Sequence, residues 1–230
     1  MNSNLIPSLS RAFDYLHAQG TEIPLDIQLK ARQFGVIKAA GDFAGVNKTY
    51  HDAITAALTT FFEGGSIAAP RNAFKRAIVE GLGDAFDLGW ADGGGELPID
   101  EDALSWLNAR IEQEFGLVEM LFQAAKELRK EDGFDYFPWV TARADGYTGT
   151  LQAVYNAAKM LAAKGKLLTW VLGNTEKHCA TCLQLNGTRH RASWYIANNY
   201  IPRQPGAGME CGGYNCDCVL TDNAGHDVTI

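Results

Sequence analysis

The stretch DEDALSWLNARIEQEFGLVEMLFQAAKELRK, residues 100–130, is the strongest indication of the fold class. Its apolar residues recur every three or four positions, which gives one apolar stripe along a helix. These residues are Leu104, Leu107, Ile111, Phe115, Val118, Phe122, Ala125 and Leu128. Acidic residues open the stretch and basic residues close it, as the helix dipole favours. The stretch therefore predicts a long amphipathic helix that packs against other elements.

The rest of the first 165 residues also shows helical spacing. Further helices are predicted at residues 8–20, 24–41, 47–65, 69–96 and 141–165. Asn47 is the predicted N-cap of the third of these stretches. Three glycines inside 69–96, namely Gly81, Gly83 and Gly89, indicate either close helix packing or a broken helix.

The pattern changes after Gly165. A strand is predicted at 166–173 and a short one at 218–220, with glycine-rich turns between them. The sequence therefore predicts an α+β fold that is mostly α, with a helical body over residues 1–135. A small β-containing, cysteine-rich module with little core of its own is predicted over residues 136–230.

Composition excludes several classes of protein. The chain has 230 residues, of which 47% are hydrophobic and 20% charged, as in a folded globular protein. It has no apolar run of membrane-spanning length and no basic segment followed by an apolar stretch at its start. We therefore expect an unexported protein that is made in the cytoplasm and has no membrane partner.

The net charge of −7 belongs entirely to residues 1–165, because the remainder carries five basic and five acidic residues. No basic stripe of the kind that nonspecific nucleic-acid binding requires is present. A local patch at Arg189, His190 and Arg191 is most simply a solvated loop.

Every cysteine lies in the last quarter of the chain: Cys179, Cys182, Cys211, Cys216 and Cys218. Cys179 and Cys182 form a Cys-x-x-Cys pair, a turn that presents two ligands to a tetrahedral metal. In a strand, Cys216 and Cys218 would face the same side. Zinc suits thiolates and needs four ligands, so four of the five cysteines are the expected ligands of a structural zinc.

Other interpretations of these cysteines stay open. Free thiols packed in a core and a disulfide are both compatible with the spacing, although five is an odd number and the cytoplasm is reducing. His178, beside Cys179, could replace a ligand, but we expect it to be exposed or to contact a ligand without binding the metal.

Three well-known catalytic motifs do not occur in the sequence. A zinc deaminase would need His-x-Glu upstream of its cysteine pair, and this chain has none. The phosphate-binding Gly-x-x-x-x-Gly-Lys-Ser/Thr motif and His-Glu-x-x-His do not occur either. We assign no catalytic residue and expect a protein that is not an enzyme.

The C-terminal third resembles a known family. It contains LLTWVLGNTEKHCATCLQLNGTRH at 167–190 and PRQPGAGMECGGYNCDCVLTD at 202–222. A strand with a tryptophan, Cys-x-x-Cys, a loop with prolines, and Cys-x-Cys before an apolar strand are together similar to the head-morphogenesis domain of phage Mu F-like minor head proteins. The matching residues are Trp170, Cys179, Cys182, Leu185 to Gly187, Pro202, Pro205, Cys216 and Cys218.

The resemblance covers roughly residues 140–222 and departs from the family in one place. The family commonly has a histidine shortly before Cys-x-Cys, where this chain has CGGYN at 211–215. Cys211 could take the place of that histidine, so the fourth ligand is left open.

The resemblance implies a virion component of a tailed phage or prophage that acts in head morphogenesis. Its partners would be portal or capsid proteins, with DNA as a further candidate, and several copies would be present in each particle. It would be made in the host cytoplasm and end in the phage head. An alternative from the residues themselves is a zinc-stabilised nucleic-acid-binding module that uses Arg189, Arg191 and Trp194. A metal- or thiol-dependent enzyme is the third hypothesis.

Overall fold

A computed structural model describes residues 23–64, 66–203, 207–213, 216–225 and 227–228. The predicted helix at 8–20 and Pro205 lie outside these residues. Within them the chain forms seven helices and three strands. In chain order these are α1 (Leu25–Gln33), α2 (Phe43–Phe62), α3 (Ala68–Asp92), α4 (Glu101–Leu128), α5 (Tyr136–Ala162), β1 (Leu167–Val171), α6 (Ala180–Leu185), β2 (Arg189–Arg191), α7 (Ala192–Ala197) and β3 (Val219–Thr221). The predicted class, α+β and mostly α, is confirmed.

The chain divides into two compact units. The first contains the described residues up to Asp84 together with Leu97–Thr148, and the second contains Ala85–Glu96 together with the residues from Gly149 onwards. Helices α3 and α5 therefore each contribute to both units. The predicted division between residues 135 and 136 stays a prediction about domain organisation.

The first unit is a helical body whose core includes the apolar stripe of α4. Six of the eight stripe residues are buried, and Phe115 and Leu128 are half-buried. Helix α4 begins at the N-cap Asp100, whose carboxylate accepts a hydrogen bond from the Asp102 N–H at 2.9 Å. Edge-to-face contacts of Phe122 with Phe61 and Phe74 fill the core beside the stripe.

Two predicted helix boundaries are wrong. Helix α1 ends at Gln33 rather than near residue 41, because Gly35 adopts a φ of +68° and the Val36 N–H bonds back to the Ala31 carbonyl at 2.8 Å. Asn47 is not the N-cap of the next helix. Asp42 caps α2 by accepting a hydrogen bond from the Gly45 N–H at 2.8 Å, so this helix starts before Asn47.

Helix α3 runs unbroken through its glycines, so close packing is the explanation that holds. A Cβ atom at Gly81 would lie 2.3 Å from the Tyr50 ring. One at Gly89 would lie 2.1 Å from the backbone oxygen of Tyr155. The side chain of even an alanine is therefore excluded by neighbours at these two turns.

Helix α5 was predicted to bury one apolar face, but part of it is buried on all sides. Every residue from Ala153 to Met160 is buried, including the polar Asn156 and Lys159. This part of α5 lies in the second unit, where α3 approaches it at Gly89 and Gly93.

The sheet of the second unit is antiparallel in the order β2-β1-β3. Strand β1 is the middle strand: Leu168 pairs with His190 of β2, and Trp170 pairs with Leu220 of β3. Both predicted strands are present, shifted by one or two residues, whereas β2, α6 and α7 were not predicted; the stretch that forms α6 was expected to be a tight turn.

The second unit has a larger core of its own than the sequence predicted, because the sheet and the short helices α6 and α7 bury one another's side chains. The buried residues of this core are Met160, Ala163, Leu168, Trp170, Cys182, Leu185, Ala192, Tyr195, Ile201, Ala207, Met209, Cys216, Cys218 and Leu220. Among the helices in the described part of the chain, none combines the length and apolarity needed to cross a membrane.

Candidate metal centre

The first arm of the cysteine cluster is a helical turn between β1 and β2. Cys179 is the N-cap of α6, and its Sγ accepts a hydrogen bond from the Cys182 N–H at 3.4 Å. The turn places the Cys179 and Cys182 sulfurs 3.3 Å apart. Cys182 is buried in the core of the second unit, and Cys179 packs at its margin.

The second arm is the extended segment that leads into β3. Cys216 and Cys218 are both buried, while Asp217 between them is exposed. This alternation is the one predicted for an extended chain. The sulfurs of Cys182 and Cys216 are 4.0 Å apart, so the two arms meet.

Cys211 reaches the cluster from the loop before the second arm. Its neighbour Glu210 ties this loop to the first arm through two hydrogen bonds. The Ala180 N–H donates to Glu210 Oε2 at 2.8 Å, and the Glu210 N–H donates to Thr181 Oγ1 at 3.2 Å. Glu210 was not predicted as a site residue, although its position next to Cys211 was the available sequence signal.

The sulfurs fall into two overlapping groups of three. Cys179, Cys182 and Cys211 form one group, which we call the outer triad, with all three sulfurs within 4.8 Å of one another. Cys182, Cys216 and Cys218 form the inner triad, with the same limit of 4.8 Å. The inner triad is entirely buried, whereas Cys179 and Cys211 of the outer triad are half-buried.

These separations fit metal binding. Zn–S bonds of about 2.3 Å in a tetrahedron place neighbouring sulfurs about 3.8 Å apart. The measured 3.3 and 4.0 Å distances bracket that value, so small side-chain movements suffice to bring donors onto one ion. All five cysteines lie within the described residues and are free thiols. The cysteine-rich cluster can therefore hold a metal ion.

His178 lies at the edge of the inner triad. Its Nδ1 is 3.9 Å from the Cys218 sulfur and 3.2 Å from Thr175 Oγ1. Two ligands of one tetrahedral zinc, a nitrogen and a sulfur, would be about 3.6 Å apart. The half-buried imidazole is therefore close enough to serve as a donor, and Nδ1 would then exchange its contact with Thr175 for the metal.

The thiols differ in acidity because they differ in burial and in hydrogen bonding. Burial raises the pKa of Cys179, but hydrogen bonds involving Cys182 and Cys211 outweigh this and lower it to about 7. The pKa of Cys182 is raised, mainly by burial and further by the neighbouring thiols. Burial likewise raises the pKa of Cys211. Cys179 is thus the thiol of these three most readily deprotonated for binding a metal.

The basic patch suggested for nucleic acid is engaged within the second unit. Arg189 donates a hydrogen bond to the Asn223 side chain, and Arg191 donates to the Gly165 carbonyl at 3.0 Å. Trp194 stacks on the His190 ring with centroids 3.8 Å apart. These contacts hold the patch residues within the fold. The His190 ring covers one face of Trp194, so that face is not available to stack on a base.

A second cluster of ionisable groups lies in the helical body. Glu114 is 1% exposed, and its carboxylate lies 2.6 Å from Arg110 Nη2. Burial raises the pKa of Glu114, with Arg110 opposing the shift. Burial also raises the pKa of Tyr50 and of Tyr147, to about 12 for Tyr147, with the Glu114 charge adding to both shifts. In the sequence, Glu114 lies among the apolar stripe residues, between Ile111 and Val118. A charged residue at such a position was the available signal that its carboxyl is buried.

Comparisons with protein-family models, curated proteins and solved structures found no match to this chain. The fold and cluster alone therefore define its class: a largely helical protein with a thiol-rich candidate metal centre on a small antiparallel sheet.

Proposed function

We propose that this chain is a structural minor head protein of a tailed phage or prophage, which contacts portal or capsid proteins during head morphogenesis. The observation that carries the proposal is the convergence of Cys-x-x-Cys and Cys-x-Cys on one cluster, in the unit whose sheet has the tryptophan-bearing strand β1 as its middle strand. These are the elements on which the resemblance to Mu F-like minor head proteins rests. The role is one of assembly rather than catalysis.

We further propose zinc as the metal. The donors are thiolates, which are soft ligands, and structural zinc sites commonly use four cysteines or three cysteines with one histidine. The inner triad of Cys182, Cys216 and Cys218 supplies three buried donors. The fourth would come from Cys179, Cys211 or His178. The ion would supply folding free energy to this unit.

The cluster would hold an exposed apolar residue in a fixed position. Leu183 follows Cys182 directly and is 58% exposed. Hydrogen bonds from Cys182 and Leu183 to Cys179, together with the burial of Cys182, hold the backbone of α6 at this position. We propose this exposed leucine as one contact point for another protein.

The helical body offers a second apolar feature. Leu117 and Met120 are one turn apart on α4 and are 40% and 63% exposed. Met120 lies opposite the buried stripe and Leu117 on its flank, so both are exposed at the surface of α4. The net charge of −7 disfavours tight electrostatic binding to DNA and fits a role in protein contacts.

The test is incorporation into particles. The tagged chain is expressed in a host in which heads assemble, and proheads and virions are separated on a density gradient. We expect the chain to co-sediment with portal and capsid protein. Leu183→Glu should reduce incorporation at unchanged expression, whereas Gln184→Glu, at the exposed neighbouring position, should incorporate normally.

Recovery of the chain only outside the particles would overturn the proposed role. Salt-sensitive binding of the purified chain to DNA, lost on charge removal at Arg189 and Arg191, would instead favour the nucleic-acid-binding module. Metal analysis of protein purified without chelator identifies the ion, and zinc is expected.

A further inference from the structure

The two triads share one sulfur, that of Cys182, and differ in their exposure to solvent. Cys216 and Cys218 complete the inner triad inside the core, whereas Cys179 and Cys211 complete the outer triad at its margin. Among the described residues the mutually close groups contain three thiols each rather than four. The cluster thus contains two adjacent groups of three thiols, the inner triad and the outer triad.

We propose that the cluster binds two thiophilic metal ions, with the Cys182 sulfur shared between them. One ion occupies the inner triad, and the second occupies the outer triad on the solvent side. This inference rests on the proposed metal binding and concerns its stoichiometry. A thiolate sulfur has enough lone pairs to bind two ions, and each thiol that binds releases its proton to solvent.

The count of donors supports two ions. One tetrahedral ion uses four donors, but five thiols and the His178 imidazole converge here. With a shared Cys182, the inner ion has three thiolates and His178 within reach. The outer ion has three thiolates and an open side toward solvent, which suits ions that accept three sulfur ligands or add a water.

The outer triad is held together by the protein itself. Glu210 anchors the Cys211 loop to the backbone of Ala180 and to the hydroxyl of Thr181 at 2.8 and 3.2 Å. Both contacted residues lie between Cys179 and Cys182. Because hydrogen bonds fix the loop next to the first arm, the position of Cys211 does not depend on its being a ligand of the inner ion.

The experiment is an anaerobic titration of the metal-free full chain with Cd²⁺. Sulfur-to-cadmium absorbance follows binding, and native mass spectrometry counts the bound ions. We expect two ions in the wild type and one in Cys211→Ser, which keeps the inner triad intact. Glu210→Gln keeps all five thiols but weakens the hydrogen bond from the Ala180 N–H. This variant should bind the second ion with an affinity about 10- to 100-fold lower than that of the wild type.

Each outcome decides between the hypotheses. One ion in the wild type and one in Cys211→Ser would overturn the second position while leaving a structural metal intact. One ion in the wild type that is lost in Cys211→Ser would also overturn it, because Cys211 would then serve the single site. No ion in the folded wild type would overturn metal binding altogether. Two ions in Cys211→Ser would place the second ion elsewhere and overturn the assignment to the outer triad.

Discussion

A Cβ atom on Gly89 of α3 would lie 2.1 Å from the backbone oxygen of Tyr155 on α5. Real Cβ atoms do not approach a neighbour within 3.0 Å, and a backbone oxygen inside a helix cannot move away as a flexible side chain can. Within the second unit the two helices therefore touch through their backbones at this turn. The glycine that lowers helix propensity is what permits the contact.

Gly89→Ala should destabilise the protein by about 1–3 kcal/mol, because overpacking outweighs the gain in helix propensity. Urea unfolding monitored by circular dichroism measures the change. The matched control is Gly116→Ala on α4, where a Cβ meets nothing within 4 Å. There alanine should stabilise by about 0.5–1 kcal/mol. Equal effects at the two positions would contradict the close approach.

The two leucines of β1 give a second matched pair. Leu168 is fully buried, and Leu167 beside it is 43% exposed. Leu168→Ala should cost about 2–5 kcal/mol through lost burial and a cavity in the core of the second unit. Leu167→Ala should cost well under half as much in the same denaturation experiment. A reversed order would show that the register of β1 differs from the pairing of Leu168 with His190.

The buried Glu114 predicts a particular pH dependence of stability. Burial raises its pKa in the folded state above the usual value of 4.5, so the folded protein holds the proton more tightly than the unfolded chain does. This group therefore makes stability fall as pH rises from about 4.5 through the higher folded pKa. Glu114→Gln should remove that part of the slope.

The measurement is the free energy of unfolding between acidic and neutral pH. Glu112→Gln makes the same change of charge at an exposed position of α4 and serves as the control. If Glu114→Gln and Glu112→Gln give the same pH profile, the Glu114 carboxyl is solvated and the predicted burial effect is absent.

Metal removal should destabilise the second unit without abolishing its fold, because this unit has its own apolar core. A ligand present at 100 times its dissociation constant contributes about 2.7 kcal/mol. Chelation should therefore lower the melting temperature measured by calorimetry, and adding zinc back should restore it. Cys218→Ser should lose most of the response to zinc and Cys211→Ser much less. An unchanged melting temperature after complete metal removal would contradict a structural role for the ion.

Local periodicity was sufficient to predict the long helices, because one face of α4 and most of α3 follow the core spacing over many turns. It was insufficient for β2, α6 and α7. Each is three to six residues long and is stabilised by pairing or packing with residues distant in sequence, as His190 is by Leu168. Asn47 was mistaken for a cap because Asp42, five residues earlier, has the same capping ability and starts the helix there.

The sequence indicated which cysteines belong to the candidate site. It did not indicate that they form two triads that share Cys182. The spacing of Cys179 and Cys182 gave the first arm, and alternation gave Cys216 and Cys218 a common side. The shared position of Cys182 depends on how β3 pairs with β1, which brings together residues far apart in the chain. The place of Cys211 depends on the Glu210 contacts, which spacing does not reveal.

The meeting of Cys182 and Cys216 joins positions 34 residues apart in the chain. With an ion bound, the intervening segment becomes a loop closed by metal–sulfur bonds as well as by the pairing of β1 with β3. A protease cut inside that loop would leave two fragments of the chain that remain bound to each other. The fragments would stay together through purification, and adding a chelator would weaken their association. With a metal ion bound, the cluster would thus be a reversible cross-link that holds the two fragments of a nicked chain together.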